Sequence, residues 1–206
     1  DSIKDFLPPS VNLLAVSKGH TELSIRNLTY QGQFEFGESR LQEALPKIFA
    51  LEDVNQIRWH FIGRLQRNKV RSVVRAFDVI HSVDCLSLAK RISKIAVEEE
   101  TCPEVMLQVK LREDPSKIGF NENELLASWS EILHLPNMHV IGLMTISPIS
   151  LDLKERKKLF SDCRDLANHV KLKDCSMGMS NDWREAVEAG STWIRIGSLL
   201  FGERFK

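Results

Sequence analysis

What this chain lacks narrows its chemistry before any motif is read. It has four cysteines in 206 residues, Cys85, Cys102, Cys163 and Cys175. None forms a Cys-x-x-Cys pair, so neither a disulfide scaffold nor a thiolate zinc site is indicated, and reduced thiols are expected. Its six histidines show no His-Glu-x-x-His or kindred spacing, and no metal is expected. No Gly-x-Gly-x-x-Gly follows the first apolar run, which argues against a dinucleotide-binding turn. No apolar run approaches the length of a membrane span. No secretory leader is visible, and because the first residue is Asp1 rather than Met the natural chain is expected to begin earlier. There is no excess of charge of either sign: 28 basic residues balance 28 acidic ones. Such a chain has no global field to draw it onto nucleic acid or an anionic membrane. A cytoplasmic protein is expected.

The 43% hydrophobic content is ordinary for a globular protein with a real core. Its distribution is repetitive: a short apolar run, a polar turn, an amphipathic stretch. The runs are Asn12–Val16, Phe34–Phe36, Arg58–Ile62, Asp78–His81, Val105–Lys110, His139–Leu143, Asp174–Ser176 and Trp193–Ile196. Their centres lie about 20 to 35 residues apart, the repeat of βα units. Helical stripes fill the intervals: Leu88, Ile92, Ile95 and Ala96; Leu125, Leu126, Trp129, Ile132 and Leu133; Leu159, Phe160, Cys163, Leu166, Ala167 and Val170. Asn121 with Glu124 predicts a capping box, Ser39 with Gln42 predicts another N-terminal cap, and Gly190 predicts the stop of a helix beginning near Asp182. Eight βα units predict one α/β domain over 1–206, a (β/α)8 barrel, with a doubly wound open sheet as the structural rival.

In such a barrel chemistry sits on the face where strands end and loops begin, and a phosphate site is usually built after strands seven and eight. Those positions carry Ser176-Met-Gly-Met-Ser180 and Ile194-Arg-Ile-Gly-Ser198. Small residues there let backbone N–H groups and a helix start hold a phosphate. Lys18 follows the first run almost at once. By itself it reads as an ordinary loop lysine, but a desolvated amine there is a nucleophile suited to an aldehyde or ketone. Strands one and eight neighbour each other in a closed barrel, so Lys18 and the phosphate loops are placed to hold two ends of one small ligand. Arg195 lies inside the last strand and shares a face with Trp193 and Gly197, opposite Ile194 and Ile196. An inward arginine needs an acceptor, which is either a ligand atom or an internal carboxylate such as Glu38.

Ala15-Val-Ser-Lys18, Phe36-Gly-Glu38, Trp59-His-Phe-Ile-Gly63 with Leu65-Gln-x-Asn-Lys69, Gly142-Leu-Met144, Ser176-Met-Gly-Met-Ser180 and Ile194-Arg-Ile-Gly197 occur in this order. In them the chain resembles the YggS/PROSC family of pyridoxal 5′-phosphate (PLP) binding proteins, also called PLP homeostasis proteins, and it is similar to their cyanobacterial members in Phe77-Asp-Val-Ile-His-Ser82. The resemblance implies a barrel like the alanine racemase N-terminal domain. It implies PLP held as a Schiff base on Lys18, Arg195 facing the pyridine nitrogen, and Ser176, Ser180, Gly197 and Ser198 at the phosphate. It further implies PLP-dependent apoenzymes as partners. Where family members often read Phe-Gly-Glu-Asn-Tyr, this chain has Ser39-Arg40 in place of the last two residues and so lacks that asparagine.

An arginine donates and never accepts, so the ring nitrogen beside it stays unprotonated and PLP there is a weak electron sink. A binding protein without turnover is therefore expected, acting as a monomer. The alternatives are a PLP-dependent racemase or decarboxylase and a Schiff-base aldolase for a sugar phosphate. Enzymes of the first kind use a second β domain and act as dimers, with a tyrosine from the partner subunit as the second acid/base. Here the chain closes soon after the eighth run, and Tyr30 falls in the first helical stretch. His60, Gln66, Asn68 and Lys69 after the third run, and Lys117 after the fifth, are weaker candidates for the mouth. Met144 is expected to pack near the ring.

Overall fold

The structure, a computed structural model, describes residues 3–202; the ends of the expected 1–206 domain lie outside the described residues. Eight strands form: β1 Asn12–Val16, β2 Glu35–Glu38, β3 Arg58–Phe61, β4 Val79–Val83, β5 Glu104–Gln108, β6 His139–Met144, β7 Asp174–Ser176 and β8 Trp193–Ile196. They close into a barrel in chain order, and β1 pairs in parallel with β8 through Asn12–Trp193 to Ala15–Ile196. Closure excludes the open doubly wound sheet. A helix follows each strand: α1 Glu22–Thr29, α2 Leu41–Ala50, α3 Val70–Ala76, α4 Leu86–Glu98, α5 Glu122–Leu133, α6 Leu153–His169, α7 Trp183–Glu188 and α8 Ser198–Phe201.

Local chemistry sets the helix ends. Asn121 and Glu124 make the expected reciprocal capping box at α5, and Asp152 with Glu155 makes a second one at α6. Gly190, at φ +91°, follows the C-cap Ala189 of α7 and accepts the left-handed turn that ends the helix. The cap expected from Ser39 does not form. Arg40 occupies the extended cap position of α2 and makes no side-chain cap bond, and Ser39 stands one residue too early to reach the free amides.

Two apolar compartments result. Between strands and helices lies a sleeve in which Ile92, Leu107, Leu125, Leu159 and Phe160 are fully or almost fully buried. The α4 stripe faces it as expected, and so do Leu159, Phe160, Cys163, Leu166 and Ala167 on α6, while Val170 is the residue that caps that helix. On α5 only Leu125 and Ile132 bury, with Trp129 partly covered. Leu126 and Leu133 are 37% and 57% exposed. Each stands one residue past the buried line, a rotation of about 100° around a helix of 3.6 residues per turn. The second compartment is the barrel bore. There Leu14, Met106, Met144 and Trp193 meet, while Ile194 and Ile196 face outward onto Leu13 and Trp183. The alternation expected for β8 therefore holds, and it aims Arg195 inward. A register shift in β4, where Ile80 pairs Val105 but Val83 pairs Leu107, inserts one extra residue and buries both His81 and Ser82.

Candidate functional site

The β1–β8 pairing sets the site. Ala15 lies level with Ile196, so the segments that follow, Ser17 to His20 and Gly197 to Phe201, leave the same rim side by side. His20 stacks on Phe201 with ring centroids 4.5 Å apart, tying the β1–α1 loop to α8. The residues flanking half-buried Lys18 are clamped from below. Lys47, buried on α2, donates to the Ser17 carbonyl at 2.9 Å, to Glu38 at 2.8 Å and to Glu43 at 2.7 Å. The Ser17 hydroxyl donates to Glu38 at 2.7 Å, and the Gly19 N–H donates to Glu43. The partner of Glu38 is therefore Lys47, not Arg195, and Glu38 Oε2 is buried without a hydrogen-bond partner.

The loops after β7 and β8 come together as expected. The Arg195 N–H donates to the Gly178 carbonyl at 3.0 Å, and the Ser198 hydroxyl donates to Ser180 Oγ at 3.3 Å. Gly178 sits at φ +91°, and a Cβ there would lie 2.7 Å from the Ala186 Cβ on α7, so only glycine lets this loop lie on that helix. The amides of Ser198 and Leu199 open α8 and have no intrahelical acceptor. The Met179 N–H is already held by Asp182 at 2.6 Å.

Arg195 is 5% exposed. It donates to Ser176 O at 2.8 Å, Ser176 Oγ at 2.7 Å and Thr145 O at 2.9 Å. All three acceptors are neutral. Among the described residues no carboxylate pairs with it, and two of its five N–H donors find no acceptor. Burial pushes it down to about 10, opposed by the field of Asp182, so it remains a cation at neutral pH. A buried guanidinium with spare donors fits an acceptor atom supplied by a ligand. Ser176, expected at the phosphate, is instead fully buried beneath the rim, between Arg195 and His81.

His60 lies within β3 and points into the bore rather than following the strand. Its Nε2 is 2.5 Å from Glu35 and its Nδ1 is 2.8 Å from His81 Nε2. Sequence reading missed Glu35 and His81. The register that joins them to Arg195 is a property of the closed sheet, and only their inward parity was readable. Gln66 and Lys69 line a cavity of about 190 Å³ with Ser39 and Arg40 at the edge of the mouth. Asn68 is exposed. Lys117, half-buried in the β5–α5 loop, lines a small cleft with Gln108. Met144 packs in the bore. Among the described residues no three His, Cys, Asp or Glu side chains gather as a metal site, and no helix is long and apolar enough to cross a membrane.

Residues 1–205 match the family described as the alanine racemase N-terminal domain, and the chain belongs to that family. Within it the chain is one of the pyridoxal phosphate homeostasis proteins, the YggS/PROSC branch. It is 45% identical over 204 residues to the pyridoxal phosphate homeostasis protein of Synechocystis sp., covering 96% of this chain and 94% of that one. The solved structure of PipY from Synechococcus elongatus with PLP bound superposes with a TM-score of 0.93 at 42% identity, over 97% of this chain and 96% of that one. PipY without PLP gives 0.96 at 43%, with the same coverage. Alanine racemase of Clostridium difficile shares the barrel alone, at 15% identity, a TM-score of 0.77, and 98% and 54% coverage.

Proposed function

We propose that this chain binds pyridoxal 5′-phosphate and serves PLP homeostasis. Lys18 is the amine that holds the cofactor's aldehyde covalently. Arg195 meets the pyridine nitrogen, and Ser180, Gly197 and Ser198 hold the phosphate through hydroxyl and backbone N–H groups. Ser176 supports Arg195 instead of contacting the phosphate. The observation that carries this reading is the shared rim. The Lys18 loop and the β8–α8 loop leave adjacent paired strands and are stacked together through His20 and Phe201, above a buried arginine with donors to spare. The PLP-bound relative supports it.

When bound, PLP supplies an electrophilic aldehyde on a conjugated ring. The residues here bind and orient it without driving turnover. Arg195 only donates, so it keeps the ring nitrogen unprotonated and the ring a poor electron sink. Tyr30, 79% exposed beyond the end of α1, supplies no second acid to the mouth. Residues 1–206 act as one PLP-binding domain, the protein works as a monomer in the cytoplasm, and PLP-dependent apoenzymes are its partners. Its four thiols are all unbridged, in keeping with that compartment.

The test is borohydride reduction of PLP-loaded protein followed by peptide mass spectrometry. A pyridoxyl group on Lys18, absent from Lys18→Ala, is expected. An adduct on another lysine, or none, overturns the assignment. Incubation of the loaded protein with L-alanine is expected to yield no D-alanine, and steady racemisation would overturn the binding-protein reading.

A further inference from the structure

We propose that Glu35, His60, His81 and Ser176 form a hydrogen-bond chain of one fixed polarity through the barrel bore, and that this chain positions Arg195 for its ligand. The proposal rests on the reading that Arg195 meets the pyridine ring, and it deepens that reading by giving Ser176 and three residues below it a role.

The polarity follows from the end groups. Arg195 can only donate, and it gives an N–H to Ser176 Oγ at 2.7 Å. The serine hydroxyl then sends its own proton to His81 Nδ1, 3.0 Å away. A neutral imidazole that accepts at Nδ1 carries its proton at Nε2, and His81 Nε2 lies 2.8 Å from His60 Nδ1. The same step puts the His60 proton on Nε2, 2.5 Å from Glu35 Oε2, where a carboxylate accepts it. Each of the four links holds one proton. The reverse polarity fails at Ser176: its oxygen would receive from both Arg195 and His81, and its own proton would be left without an acceptor at a site of zero exposure.

The surroundings favour a rigid chain. The β4 bulge turns His81 into the bore, and Trp193 lies 5.0 Å from the His60 ring and 6.4 Å from the His81 ring. Burial keeps both imidazoles neutral, as the chain requires. Its lower end, Glu35, opens β2 on the opposite face of the barrel and is 32% exposed. The upper end fixes the guanidinium plane through Ser176 and Thr145, so its two spare donors keep one direction.

The first measurement needs neither cofactor nor variant. Nitrogen-15 NMR of the imidazoles at neutral pH is expected to show His60 and His81 both neutral with the proton on Nε2. A proton on Nδ1 of either ring, or a doubly protonated ring, overturns the chain. The second measurement is made with PLP. Ser176→Ala and His81→Leu are expected to weaken PLP retention about tenfold, the scale of one lost buried hydrogen-bond partner, and to shift the absorbance of the bound cofactor. Glu35→Leu moves both in the same direction, and Glu35→Gln, which keeps an acceptor oxygen, recovers them. Variants that lose melting temperature but keep affinity and spectrum overturn the positioning role. Wild-type protein that takes up no PLP overturns the cofactor reading instead, and the imidazole tautomers then judge the chain by themselves.

Discussion

Between strands and helices, side chains such as Phe160, Leu107 and Ile92 are wholly buried and carry no polar atom. Inside the bore the same burial falls on His60, His81, Ser176 and Arg195. The sleeve is stabilised by area removed from water and by close packing, which are non-directional and tolerate shape-conserving change. The bore depends on directed hydrogen bonds, because each buried polar group that loses its partner costs roughly 1–3 kcal/mol. The sleeve therefore governs whether the chain folds, and the bore governs how the rim above it is presented.

That contrast is open to challenge on both sides. The largest effect is expected from the sleeve: Phe160→Ala removes a fully buried ring and should cost about 3–5 kcal/mol in denaturant unfolding with the PLP spectrum of the surviving folded protein unchanged. A changed spectrum would mean that the compartments are not separate. A smaller effect belongs to the bore and depends on pH. Burial, aided at His81 by the His60 and Arg195 fields, holds both histidines well below their ordinary 6.5. The unfolded chain therefore takes up protons near 6.5 that the native chain refuses, and stability is present above that value and lost as pH falls. Glu35, raised by burial, acts in the opposite sense and offsets part of the loss at lower pH. Melting temperatures should fall between about pH 7 and about pH 5, and a His60→Leu/His81→Leu double variant should flatten that slope. An unchanged slope would place the acid sensitivity elsewhere. The smallest effect lies outside both compartments: Asp152→Ala removes the α6 cap and should cost about 1 kcal/mol by thermal unfolding, leaving PLP retention as it was.

Much of the fold was readable because βα repeats write themselves into apolar periodicity. The bounds of β1, β7 and β8 match their runs residue for residue. The inward aim of Arg195 followed from strand parity alone, and the shared rim on which the β1–α1 and β8–α8 segments emerge followed from closure. The readings that failed needed information that periodicity does not hold. Ser39 has a capping side chain, but the helix starts one residue later than that side chain can serve. Glu38 found its cation on the next helix, at Lys47, because the side-chain reach across a βα unit is three-dimensional. The His60–His81–Ser176 contacts join residues 21 and 95 positions apart. They depend on sheet register and on a bulge in β4 that no single run announces.

The pairing of the first strand with the last carries a consequence for how the molecule matures. Asn12 reaches the Thr192 carbonyl across 180 residues of chain, and contacts of such separation form late and slowly. A nascent polypeptide emerging up to β7 already displays the lysine, yet has neither the arginine nor the final serine loop. On the proposed reading, in which Lys18 and Arg195 hold one ligand, its capture is reserved for finished barrels. A small molecule held in that way would act as a clasp that draws the folding equilibrium toward completion.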